Sequence, residues 1–390
     1  MIFKIPDILV EKVQENLSDV KGPFFGSRAP GRIEILGNHT DYNGGLVLAS
    51  TIDQYVWMIG SASIEAMFYS VQFNNKDRFD PNNPILLDEP SWRNYVRGVY
   101  WAFKRRNHDA KGVTGAIYGD IPVGGGLSSS AALEVASVNL IASSSGLKIH
   151  PKSKAMLAFE SERLFCGISC GVMDQFTSQL GMPNSLLGIH CGNLVTQNVA
   201  MPSGVSFVVV NSMISRDAGS VLNERKGECL QALQILQEIG WDISALSAIS
   251  IADLANVTES LDEKLSRRVR HIVKENQRVR DGIALLQQNH IEEFGKLMIE
   301  SHESSRDLYE VSHPNLEILM DISQGCEGMF GCRLTGAGSG GNLLLLTKTN
   351  DAERIIRETT TEYEKETGLL AESTLCAVPG GVVVEELPEF

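Results

Sequence analysis

Residues 120–135, DIPVGGGLSSSAALEV, constrain this chain more than any other stretch. They join a strand-like segment, residues 113–118 (VTGAIY), to a helix-like one, residues 131–142 (AALEVASVNLIA). Between them stand Gly124, Gly125 and Gly126, then Leu127, then Ser128, Ser129 and Ser130. Glycines let a backbone turn through positive φ and approach a ligand closely. Small hydroxyl residues at a helix start leave N–H groups pointing outward, where the helix dipole favours an anion. The stretch therefore reads as a phosphate cradle. It is not a Walker A loop, because no Gly-Lys-Ser/Thr follows the glycines. The same letters also fit an ordinary glycine-rich turn with a serine N-cap, and the rest of the chain decides between the two.

At 390 residues and 43% hydrophobic, the chain can build about two to three domains with a real core. Its 34 Lys+Arg against 48 Asp+Glu leave a net charge of −14. General electrostatics thus give it no attraction to nucleic acid or to an anionic membrane, so neither is expected as a partner. Any phosphate must be held by local positive features or by a metal. Of the seven cysteines, Cys166 and Cys170 lie close together, but no second close pair or histidine cluster completes a zinc site. They read as reduced thiols of a cytoplasmic protein. The start, MIFKIPDILVEKVQENL, is a short amphipathic helix and not a signal peptide, and no apolar run reaches membrane-spanning length.

In chain order, Pro30 and Gly31, in SRAPGRIEIL, mark a break before an apolar run. A polar loop follows, with Asn38, His39, Asp41, Tyr42 and Asn43. These side chains suit sugar recognition, although polar density alone favours a plain surface turn. Residues 92–104 read as a helix whose aromatic face belongs in a core. Residues 152–165 read as a helix carrying Glu160 and Glu162, which point to different faces. Asp174, in GVMDQ, has no basic neighbour in sequence, so it either faces solvent or meets a cation from elsewhere. A strand from Val205 opens a second domain, and helices are expected over residues 219–239, 261–288 and 291–307. The charges of SRRVRHIVKENQRVRD read most simply as a solvated helix face. Gly336, Gly338 and Gly341 have the spacing of a dinucleotide loop. A strand-like run, residues 343–346, follows them where a helix should open, which excludes a dehydrogenase.

Three segments taken in order, APGRIEILGNHTDYNGG, PVGGGLSSSAALEVA and RLTGAGSGG, resemble the three motifs of GHMP small-molecule kinases. The first motif, with NYVRGV, CGVMDQF, RRVRHIVKEN and SHESSRDLYEVSHP, is similar to galactokinases in particular. The resemblance implies an α+β, two-domain GHMP kinase fold. Its N-terminal α/β domain, residues 1–203, would carry the sugar motif and the phosphate loop. Its C-terminal ferredoxin-like α/β domain would span residues 204–390, with ATP and sugar in the cleft between the two. It also implies ATP-dependent phosphorylation of the anomeric hydroxyl of galactose or a closely related sugar. A catalytically silent sugar and ATP sensor is the alternative of another class.

By position, the resemblance assigns Gly124 to Ser130 to the ATP phosphates, and Ser130 and Glu162 to Mg²⁺. Asp174 matches the proposed base, and Arg32 the residue that stabilises the transferring phosphoryl group. One serine and one glutamate suit Mg²⁺, a hard cation that takes few protein oxygens and completes its shell with substrate phosphates. If Arg32 lies beside Asp174, the opposite charge makes that carboxylate a poorer proton acceptor, better suited to orienting the hydroxyl. His39, Asp41 and Gly171 match sugar contacts. Two positions depart from the galactokinase pattern. Asn38 replaces a glutamate that contacts the exocyclic hydroxymethyl, and Leu222 replaces a sugar-contacting tyrosine. Both changes imply a poorer fit for galactose and leave a variant sugar, such as a uronic acid, as a candidate.

Overall fold

The computed structural model describes residues 4–17, 20, 22–122, 124–214 and 218–388. The first part of the chain forms α1 (Asp7–Leu17), β1 (Phe24–Leu36), β2 (Leu46–Ser63), β3 (Ala66–Ser70), β4 (Asn75–Phe79), α2 (Trp92–Arg105) and β5 (Gly112–Gly119). Helices α3 (Ser129–Ser144), α4 (Pro151–Glu160) and α5 (Met173–Leu180) follow. Next come β6 (Ser185–His190), β7 (Val195–Ala200), β8 (Val205–Asn211), α6 (Ala218–Glu238), α7 (Leu254–Glu259), α8 (Glu263–Gln287), α9 (Ile291–Asp307) and α10 (Pro314–Gln324). The chain ends with β9 (Met329–Thr335), β10 (Asn342–Lys348), α11 (Ala352–Thr367), β11 (Glu372–Cys376) and β12 (Val383–Leu387).

These elements form two compact units, neither continuous in sequence. The first comprises Met1–Arg32, Thr51–Pro183 and Pro379–Phe390, the second Ile33–Ser50 and Asn184–Val378. The sequence reading puts a single boundary between residues 203 and 204. The division into compact units falls inside β1 and β2 and again after Pro183 and Val378.

In the first unit the strands run β12-β1-β2-β5-β3-β4. Pairing is antiparallel between β1 and β12 and between β2 and β5, and parallel between β3 and β5. Helix α1 lays Leu9 and Val13 on Tyr55, Trp57 and Ile59 of β2. Helix α3 is buried on almost every side, as a helix apolar all round must be. Helix α2 buries Val96, Val99, Tyr100 and Phe103 and closes on its basic end, Lys104 and Arg105. The segment expected as one helix over residues 152–165 changes character midway: α4 gives way to a π-helical turn, Ser161–Phe165. Gly98 of α2 makes room for that turn, since a Cβ there would strike the Ser161 hydroxyl. Such π turns re-aim side chains at functional sites, and this one carries Glu162.

The second unit holds an antiparallel sheet ordered β11-β8-β10-β9. The succession from β8 through β9 and β10 to β11, with helices after the first and third strands, is the β-α-β-β-α-β plan of ferredoxin-like layers. Val208 and Val210 face Leu345 and Leu343 across the sheet and enter one core with Leu319, Ile355 and Tyr363. The expected solvated face of residues 266–281 is corrected here. Within α8, Arg268, His271, Glu275 and Asn276 are buried, because they serve a polar network and not the solvent. Among the described residues no helix is long and apolar enough to cross a membrane. All seven cysteines are free thiols.

Candidate active site

Strand β1 delivers Arg32, and the first turn of α5 delivers Asp174, so two residues far apart in sequence meet within the first unit. Arg32 Nε donates to Asp174 Oδ1 at 2.7 Å and Nη2 to Oδ2 at 2.6 Å. This two-pronged geometry is the strong form of an arginine–carboxylate pair. The third arm, Nη1, donates to the Gly126 carbonyl at 2.8 Å, and the Arg32 backbone N–H donates to the Leu127 carbonyl at 3.1 Å. The side chain of Arg32 is 8% exposed and that of Asp174 is 24% exposed, so the pair is sheltered yet open at the carboxylate. Gly31 permits this contact with the loop, because a Cβ there would stand 2.7 Å from the Leu127 carbonyl.

The loop itself alternates. Gly124, Gly126 and Ser128 have φ of 74°, 77° and 63°, and Gly125 and Leu127 between them stay outside that region. Successive N–H groups in such an alternation turn toward one point and form an anion-binding concavity. No side chain caps the start of α3, since the Ser128 hydroxyl donates instead to Asp174 Oδ2. The uncapped N–H groups at the helix start thus add to the positive field of the loop. The side-chain cap that a serine-capped turn would need is therefore not made here.

In the first turn of α3, Ser130 Oγ donates to Glu162 Oε1 at 2.9 Å. Gln175 Nε2 donates to Glu162 Oε2 at 2.5 Å and to Glu134 Oε2 at 3.1 Å. Burial, followed by the charge of Asp174, pushes the Glu162 carboxyl up to about 7. Burial, followed by Glu162, raises Glu134 well above the carboxylate range. Glu134 Oε1 and Gln175 Oε1 are buried without a hydrogen-bond partner. A cation beside Ser130 and Glu162 would relieve this excess of acid. Among the described residues no cluster of three or more His, Cys, Asp or Glu side chains is placed to hold a metal. Two protein oxygens completed by phosphate oxygens fit Mg²⁺, which rarely takes an all-protein cage. Glu160, on the other face as expected, pairs with Arg106 at 2.8 Å.

Asn38, His39, Asp41 and Leu222 belong to the second unit, where the polar loop is far from a plain surface turn. Asn38 is 1% exposed and His39 4%, and Thr40 and Asn43 are buried as well. Asn38 Nδ2 donates to Glu34 Oε1 at 3.1 Å and to the Gly336 carbonyl at 2.9 Å, and its Oδ1 accepts from Ser305 Oγ at 3.0 Å. His39 takes a positive φ of 61°. Its Nε2 lies 3.3 Å from the Ala337 carbonyl and its Nδ1 2.9 Å from the Tyr42 hydroxyl. Burial, with His271 beside it, lowers His39 to about 3, so the ring is neutral near pH 7. The third glycine loop therefore ties back to the first motif. Asp41 Oδ1 accepts the Tyr42 N–H at 2.9 Å. Leu222 is half-buried on α6, and Gly171, in the first unit, is buried just ahead of α5.

Several residues were missed by sequence reasoning. Glu275 accepts the backbone N–H groups of Gly37 and Asn38 at 3.0 and 3.3 Å. Burial opposes its charge, but Arg278, Arg333 and His271 outweigh that and bring it down to about 2. Tyr309 bonds the Tyr42 hydroxyl at 2.9 Å and stacks on His271 at 4.3 Å. Only Glu134 left a usable trace, since it stands four residues after Ser130 and so shares its helix face.

These features define the class, and sequence comparison agrees. Residues 94–182 match the family described as GHMP kinases N terminal domain, and residues 283–365 match GHMP kinases C terminal. Residues 15–62 match the galactokinase galactose-binding signature. The chain is 37% identical to a galactokinase of Roseiflexus sp. (strain RS-1), over 91% of both chains. It is 34% identical to a galactokinase of Chloroflexus aggregans, over 93% of this chain and 94% of that one. The galactokinase of Lactococcus lactis, solved in complex with galactose, superimposes with a TM-score of 0.93 at 29% identity. That match covers 97% of this chain and 99% of the other. The chain belongs to the galactokinase family of sugar kinases.

Proposed function

We propose that this enzyme transfers the γ-phosphoryl group of ATP to the anomeric hydroxyl of galactose or a closely related sugar, giving the sugar 1-phosphate and ADP. The observation that carries the reading is the two-pronged Arg32–Asp174 pair fastened to the phosphate loop through Gly126 and Ser128. In this reading the residues from Gly124 to Ser130 hold the ATP phosphates through backbone N–H groups. Ser130 and Glu162 hold Mg²⁺, which supplies charge neutralisation at the phosphates when bound. Arg32 faces the transferring phosphoryl group while fixing Asp174.

Asp174 orients the anomeric hydroxyl and takes its proton late. Phosphoryl transfer passes through a loose transition state that asks for positioning and charge more than for an early base. The proposed sugar contacts are His39, Asp41 and Leu222, with Asn38, in the second unit, and Gly171 in the first. The uronic acid alternative rests on the Asn38 and Leu222 departures, and both hydrogens of the Asn38 amide are taken up by Glu34 and Gly336. Domain limits of 1–203 and 204–390 remain the proposed assignment of the two family halves. ADP release measured across neutral hexoses, pentoses, uronic acids and N-acetylhexosamines tests the reading. Turnover should be highest with galactose or a neutral relative, and no turnover with any sugar of the panel would overturn it.

A further inference from the structure

The buried end of β1 and the loop after it hold a chain of polar contacts that the proposed reaction does not use. Arg333 Nη2 donates to Glu34 Oε1 at 3.1 Å, and Nη1 donates to the Ile35 carbonyl at 3.0 Å. The same Glu34 oxygen accepts from Asn38 Nδ2. Glu34 is 3% exposed, Asn38 1% and Arg333 0%, so no solvent screens this chain. Asn38 passes the contact on to Gly336 and Ser305, and its own carbonyl accepts from His271 Nε2 at 3.0 Å.

The Glu34 carboxylate thus touches the amide of a residue four positions further on, across the end of β1. We propose that Glu34 and Asn38 act as one carboxylate–amide pair, and that Asn38 is a positioning residue holding the His39–Asp41 segment against the Gly336–Ala337 turn. The physical reason is charge. Arg333 pairs with Glu34, and a carboxylate at position 38 would face Glu34 across about 3 Å in a medium that screens poorly. An amide instead donates to Glu34 and to a carbonyl at once, which a carboxylate cannot do. Asn38 therefore adds no second carboxylate beside Glu34, and Glu34 fixes the orientation of the Asn38 amide.

This inference rests on the proposed sugar side for its kinetic consequence, but its central test needs no activity. The test is a cycle of Asn38→Glu, Glu34→Gln and the double change, followed by thermal unfolding. Asn38→Glu should lower the melting midpoint by about 5–10 °C, and the double change should recover at least half of that loss. If Asn38→Glu does not fold at all, recovery of folded protein in the double variant supports the pair. A double variant no better than Asn38→Glu contradicts it. Kinetics give the second readout. Glu34→Gln loosens the Asn38 amide, so the sugar KM should rise about tenfold while the ATP KM stays within about twofold. Equal shifts in both constants, or in neither, would make the pair merely structural. Coupling in the melting cycle together with a wild type inactive on every sugar would overturn the proposed function alone.

Discussion

The Ser128 hydroxyl donates to the Asp174 carboxylate and leaves the helix it precedes uncapped. A serine at this position ordinarily accepts an N–H from the first helical turn, and losing such a cap costs about 1 kcal/mol. Here that stabilisation is forgone, and two things are obtained together: open N–H groups at the helix start and a second anchor for Asp174.

Replacing Ser128 by Ala separates those roles. Because no cap is lost, the melting midpoint should move by less than about 3 °C. Turnover should fall about tenfold, through the looser Asp174, a barrier change of about 1.4 kcal/mol. Thermal unfolding and steady-state kinetics on one preparation check both. A large loss of stability with unchanged turnover would return Ser128 to an ordinary capping role.

Asp174→Asn should remove turnover while ATP binding, followed by calorimetry, and the fold survive. Arg32 keeps its contacts with the Gly126 and Leu127 carbonyls in that variant, so the loop stays anchored. Turnover within about tenfold of the parent would take Asp174 out of the chemistry.

Glu162 links metal and pH. Its carboxyl is raised to about 7 in the metal-free protein, against 4.5 ordinarily. A raised acid favours the folded state fully below the ordinary value, and this contribution is lost as pH rises through 7. Without Mg²⁺, Glu162→Gln should therefore melt higher than the parent at pH 8 and gain no such advantage at pH 4.5. The same variant should need more Mg²⁺ for half-maximal rate, because a neutral amide is a poorer ligand for a hard cation. Parallel melting curves across that pH range, with an unchanged Mg²⁺ titration, would leave Glu162 an ordinary buried acid.

Local chemistry was legible in the sequence wherever it followed a periodicity or a short motif. The strand before Asp120, the helix after Ser128 and the strand from Leu343 all lie where pattern puts them, because glycines and hydroxyls punctuate them. In the sequence Asp174 reads either as solvent-facing or as engaged with a cation from elsewhere, and the structure pairs it with Arg32. The charges of α8 misled, since a pattern of Arg, His and Glu looks the same whether water or a buried network satisfies it. Glu275 and His271 are satisfied by backbone groups of Gly37 and Asn38, partners more than two hundred residues away. The π turn at Ser161 was equally hidden, because it depends on Gly98 in another helix. Asn38 was legible as a departure from its family, and its partner Glu34 was not, because the contact spans a strand end and a loop.

The identity of the product tests the central claim most directly. ATP and galactose are incubated with the enzyme and Mg²⁺, and the phosphorylated sugar is examined by ³¹P and ¹³C NMR. The account predicts phosphate on the anomeric carbon, one ADP per sugar phosphate, and loss of both in Asp174→Asn. Phosphate on any other hydroxyl, or ADP released with no phosphorylated sugar, would contradict it.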